Sequence, residues 1–108
     1  FVVQNEGAIG PLLSLLRTSG RTVPEDASVV ALCPEQLAEQ YAPRLTAVTG
    51  PTKELGRVAV DQVMGRLAAT ARDERPDDEL VLLTPVLTVR ESTGPAPHPR
   101  PQVREDQA

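Results

Sequence analysis

The chain has 108 residues with a net charge of −4, and 40 % of its residues are apolar. That is enough for one globular domain and excludes both a wholly disordered chain and a basic, free-standing DNA binder. Phe1 and Tyr41 are the only aromatic residues, which excludes a stacking platform for bases or an aromatic clamp on a sugar.

Phe1 to Gln4 reads as a short strand. An apolar β-like run at residue one predicts a fold that starts mid-way, with neighbouring elements supplied from elsewhere. Asn5 precedes a helical pattern and fits an N-cap, its side chain accepting from free first-turn amides. Ile9, Leu12, Leu13 and Leu16 form one apolar stripe, and Gly20 ends the helix. Pro11 interrupts that pattern and is expected to kink or delay the first turns. Arg21 to Asp26 reads as a turn, and Ser28 to Leu32 as a strand apolar on both faces, expected in a buried parallel sheet.

Pro34 to Tyr41 is expected to form a short helix, and Leu45 to Val48 a small strand. A long helix is predicted from about Thr52 to Arg72, entered through Pro51. Its apolar stripe is Leu55, Val58, Ala59, Val63, Met64, Leu67 and Ala71, with Met64 as core filler. A polar loop through Asp77 and Asp78 leads to two strands, Glu79 to Thr84 and Val86 to Val89, separated by Pro85. From Gly94 to Ala108 prolines alternate without any apolar stripe, so residues 94–108 are expected to be a disordered tail and 1–93 the domain. The fold class is α/β, with helices covering a mainly parallel sheet.

Three stretches, with a fourth near the start, resemble LacI/GalR-type transcriptional regulators. Gly20 to Val30 is similar to their G-x-x-V-P-x-D-x-S-V-V segment. Pro43 to Val48, with Leu55-Gly-Arg-Val-Ala59 following, is similar to P-P-L-T-T-[VI]…L-G-x-x-A. Leu87 to Thr93 resembles their closing L-V-V-R-x-S-T, and Asn5-Glu6 resembles the N-D after a strand. The resemblance implies the C-terminal part of a periplasmic-binding-protein-like (type I) effector domain. A small, often sugar-like effector would bind between two lobes, operator DNA would be read by a helix-turn-helix outside this chain, and the protein would form a cytoplasmic homodimer. Under this reading the stripe of the long helix faces a lobe that the chain does not contain.

Ligands of open parallel sheets bind beyond the carboxyl ends of the strands, which places Asn5 and Cys33 as candidate ligand-binding residues. Asn5 serves equally as an ordinary N-cap, and Cys33 as a small buried apolar residue. The chain departs from the family here: Ala31-Leu-Cys-Pro34 replaces G-[FY]-D-D, and Gly50 stands where many regulators carry a ligand-facing Gln. The resemblance also places Leu13, Leu37 and Tyr41 as candidate dimer contacts, with packing inside its own lobe as the alternative for Tyr41. One cysteine excludes an intrachain disulfide. No apolar run is long enough to cross a bilayer. His98, alone between prolines, supports neither a metal site nor a catalytic triad, and no cofactor or enzymatic activity is expected. Two other readings remain open: part of a secreted sugar-binding protein of a transporter, and a truncated self-associating product without ligand.

Overall fold

The computed structural model describes residues 1–76 and 79–98. Along the chain run β1 (Val2–Val3), a 3-10 turn (Glu6–Ala8), α1 (Ile9–Thr18), β2 (Val30–Leu32), α2 (Glu35–Gln40), β3 (Thr46–Thr49), α3 (Thr52–Ala71) and β4 (Val86–Thr88). The four strands form one sheet in the order β1-β2-β3-β4. β1 and β3 flank β2 in parallel, whereas β4 joins β3 antiparallel, so the sheet is mixed.

Register decides which side chains form the core. Val3 lies beside Ala31, Ala31 beside Ala47, and Ala47 beside Thr88. Side chains alternate across a strand, so these residues share one face with Val29, Cys33 and Leu45. That face is covered: Val3, Val29, Ala31, Cys33, Leu45 and Ala47 pack with Ile9 and Leu16 of α1 and Ala38 of α2. Small residues at 31, 38 and 47 let the helices approach closely. The opposite face carries Val2, Val30, Leu32, Val48 and Leu87, and Val2, Leu32 and Leu87 remain exposed.

Pro11 is accommodated by delaying the helix. The 3-10 turn comes first and α1 opens at Ile9, so Pro11 falls in its first turn. An amide at that position would have had no intrahelical acceptor, and its absence costs nothing. At the other end Gly20 adopts φ +73°. The amide of Gly20 donates to the Arg17 carbonyl at 3.0 Å and that of Arg21 to the Leu16 carbonyl at 2.9 Å, closing a Schellman motif.

The segment expected as a strand at Glu79 to Thr84 differs. Residues 79–85 pair with no strand, and only Val86–Thr88 enters the sheet. The β propensity of Leu80-Val-Leu-Leu83 is real, but a strand needs a neighbour, and the described residues bring none alongside. Asp77, Asp78 and residues 99–108, including Glu105 and Asp106, lie outside the described residues.

α3 stands apart from the sheet. It makes no substantial contact with any other helix or strand among the described residues. The radius of gyration is 21.8 Å, against about 13 Å for a compact chain of this length. Leu55, Val60, Val63, Met64 and Leu67 are each between 56 and 61 % exposed. The chain's own return covers the other, smaller-residue side: the Glu74 amide donates to the Ala69 carbonyl at 2.8 Å, Gln62 Nε2 donates to the Glu79 carbonyl at 3.3 Å, and Ala69 is buried. The apolar half of the helix is left open, so Met64, expected as core filler, is instead exposed.

The amino-terminal end of the sheet is closed by the segment after β4. Ser92 is fully buried. Its hydroxyl donates to the Val29 carbonyl and accepts from the Thr46 amide at 2.8 Å. Its backbone carbonyl accepts from the Val29 amide at 2.9 Å, and its amide donates to the Arg44 carbonyl at 3.1 Å. Thr46 Oγ1 lies 2.7 Å from Thr93 Oγ1 and accepts from the Arg90 amide at 2.9 Å. Ser92→Ala strips partners from two buried backbone groups, and we expect a loss of about 2–4 kcal/mol in urea denaturation.

Candidate functional site

The carboxyl ends of β1, β2 and β3 lead into residues 4–5, 33–34 and 50–51, and these turns define one edge of the sheet. Asn5 sits there in an extended conformation, exposed, with Oδ1 accepting from the Gly7 amide at 2.9 Å. The capping role is therefore real, although the capped element is the 3-10 turn. The amide donor Nδ2 makes no hydrogen bond among the described residues and remains available to an acceptor.

Cys33 lies at the same edge but on the inward face. Its side chain is buried with the core residues, and its carbonyl accepts from Thr49 Oγ1 at 3.1 Å. That bond ties the ends of β2 and β3 together. Burial pushes the thiol pKa up, the nearby Glu6 carboxylate adds to the rise, and the Arg90 guanidinium opposes it. Gly50 closes the edge: a Cβ built there would meet nothing within 4 Å, so the position opens into free space. The chemistry available is one amide donor, backbone polar groups and an apolar floor. This arrangement suits binding and offers no nucleophile with a base.

The three proposed interface residues separate. Leu13 and Tyr41 line one groove of about 370 Å³ between α1 and the turn before β3, together with Arg17, Arg21 and Pro43. A Cβ on Gly10 would lie 4.0 Å from the Tyr41 hydroxyl, which fixes the ring beside α1. Leu37 is half-buried against the core and does not line that groove. Leu13 and Tyr41 are also only half-buried.

The polar cluster of Thr46, Arg90, Ser92 and Thr93 was visible in the sequence only as the family's closing motif. A strand followed by an Arg and two hydroxyl residues is a local signal for backbone bridging, and the bridging partners, 44–63 residues away, gave no signal of their own. Among the described residues no group of three or more His, Cys, Asp or Glu could hold a metal, and no helix is long and apolar enough to cross a membrane.

The sequence profile described as the periplasmic binding protein-like domain matches residues 1–93. The HTH-type transcriptional regulator CelR of Thermobifida fusca is 39 % identical over 84 aligned positions, covering 74 % of this chain and 22 % of its own. A solved transcriptional regulator CelR–cellobiose complex superposes with a TM-score of 0.72 at 33 % identity, over 84 % of this chain and 27 % of that one. A LacI family transcriptional regulator from Arthrobacter sp. FB24, solved in complex with lactose, gives 0.70 at 30 % identity over 86 % and 34 %. The chain thus spans about a quarter of the length of the curated relatives it matches.

The buried state of Cys33 is directly measurable. Raising the thiol pKa lowers the thiolate fraction near neutrality, so iodoacetamide at pH 8 should modify the folded protein at least about tenfold more slowly than the urea-unfolded chain. The sign for stability follows: the contribution is fully present below the unfolded thiol pKa near 8.5, and is lost as pH rises through the higher folded value.

The chain belongs to the periplasmic binding protein-like domain family, in the form that LacI-type transcriptional regulators use as their effector domain.

Proposed function

We propose that this chain is the effector-sensing and dimer-forming portion of a LacI-type transcriptional regulator acting in the cytoplasm. Residues 1–93 form the domain portion. The effector is a small sugar-like molecule held at the carboxyl edge of the parallel strands. Asn5 supplies the amide donor, and Cys33 supplies the apolar floor of the site. Operator DNA is contacted by a part of the protein outside this chain, and the activity is regulatory, not catalytic.

One observation carries this reading: an exposed Asn whose donor is unpaired stands at the strand edge, in a fold whose relatives were solved with cellobiose and lactose. A carboxamide suits a polyol because it pairs with hydroxyls directionally and carries no charge to desolvate. The altered residues at 31–34 and 50 remove polar groups, so the ligand makes fewer charged contacts than the G-[FY]-D-D pattern allows. Regulation then follows from differential affinity, since a ligand shifts an equilibrium only by preferring one lobe arrangement.

Asn5→Asp isolates the ligand role from the cap. The carboxylate still accepts from Gly7, so stability should stay within about 1 kcal/mol, the scale of an N-cap. The donor is lost, and affinity for a bound disaccharide should fall about tenfold or more in titration calorimetry. Unchanged affinity removes Asn5 from the site.

Self-association is the second arm of the proposal. Leu13, Leu37 and Tyr41 are half-buried apolar residues on α1, α2 and the turn after α2. Tyr41 buries a large area with little side-chain entropy to lose. Tyr41→Ala should weaken a dimer by about tenfold or more in sedimentation equilibrium while the far-ultraviolet circular dichroism stays unchanged. An unaltered dimer would place the interface elsewhere.

A further inference from the structure

α2 joins the two sites assigned above. It begins directly after Cys33 and Pro34, at the ligand edge, and ends at Tyr41, which lines the groove beside α1. It is six residues long, and an isolated helix of that length is not stable in water. Its ends supply little: Pro34 offers no side-chain cap, and no basic residue occupies the last turn. Glu35 and Glu39 lie four apart, where like charges repel across one helical turn.

Three restraints hold this helix. Ala38 is fully buried against the sheet. The Leu45 amide donates to the Ala38 carbonyl at 3.0 Å. The third is Arg90, whose side chain is only 10 % exposed. One terminal nitrogen, Nη1, donates to the Leu45 carbonyl at 2.9 Å. The other, Nη2, lies 3.6 Å from Glu35 Oε1 and 3.7 Å from Glu39 Oε1. A single guanidinium thus offsets the repulsion of the pair while hydrogen-bonding the first residue before β3. Its planar fork makes both contacts at once, which a lysine ammonium on a flexible stem does not reproduce with the same geometry.

We infer that Arg90 is the positioning residue of α2, setting the helix so that Leu37 and Tyr41 are presented to a second copy of the chain. It acts through the charges of Glu35 and Glu39. The inference rests on the self-association reading above, and it assigns the closing Arg-Glu-Ser-Thr segment two separate tasks. Ser92 and Thr93 join the strands, whereas Arg90, which also bonds Leu45 and Thr46, reaches on to the helix.

The test uses the full-length protein in three forms: wild type, Arg90→Met, and Arg90→Met combined with Glu35→Gln and Glu39→Gln. Sedimentation equilibrium reads the dimer, and hydrogen exchange by mass spectrometry reads residues 34–42 against residues 9–18. Arg90→Met should raise the dimer dissociation constant about tenfold and speed exchange in 34–42 about tenfold, with 9–18 unchanged. Neutralising both glutamates should recover at least half of each change on a logarithmic scale, because the repulsion is gone. General damage to the core would not be repaired by substitutions on an exposed helix face. Equal exchange in wild type and Arg90→Met overturns the inference, as does a triple variant no better than the single one. A wild-type protein that stays monomeric while Arg90→Met still loosens 34–42 refutes the dimer reading and confines Arg90 to ordering α2, which overturns the functional half of the inference.

Discussion

The fold depends on how two parallel strands are joined where their ladder begins. β2 and β3 are three and four residues long, and parallel pairs of that length have few ladder bonds. The buried hydroxyl of Ser92 bridges the Val29 carbonyl and the Thr46 amide, while the backbone of Ser92 bonds Val29 and Arg44 on either side. In an apolar surrounding, each of those groups would otherwise be costly to bury. One residue far along the chain therefore fixes the register that aligns Ala31 and Ala47 on one face. The position of α1 and α2, and hence of both candidate sites, follows from that alignment.

Much of this arrangement was legible from residue order. The stripe Ile9, Leu12, Leu13 and Leu16, the stop at Gly20 and the entry at Pro51 each rest on a local rule, and α1 and α3 fall where those rules put them. The helix at 35–40 was readable because Pro34 allows a start but Pro43 prevents a long continuation. Residues 79–85 show the limit. Their β preference is a local property, but pairing is not, and the preference alone places no neighbour beside them. The bridging role of Ser92 was likewise hidden, since nothing near position 92 points to Val29 or Thr46.

The candidate ligand edge was legible as a location rather than as a chemistry. Parallel strand ends locate it, and Asn5 occupies it in an exposed cap position. Cys33 carries different weight in the structure than its place in the sequence conveys. It is the core residue that directly follows β2, and its carbonyl joins the edge together through Thr49. The open half of α3 and the open sheet face at Val2, Leu32 and Leu87 are apolar surfaces of the kind that elsewhere lie inside a domain. They agree with a chain that covers about a quarter of its curated relatives.

Gly50 and Cys33 stand at the same sheet edge but differ in what a larger side chain would meet there. The backbone at Gly50 needs no glycine for room, since an added carbon meets no neighbour, and its φ lies outside the left-handed range. A codon change at this one place installs a polar arm over the strand edge without repacking anything beneath it. Position 33, by contrast, is walled in by the core, so enlarging it disturbs the sheet. Substitution at position 50 thus leaves the packing untouched, whereas substitution at position 33 is felt throughout the core.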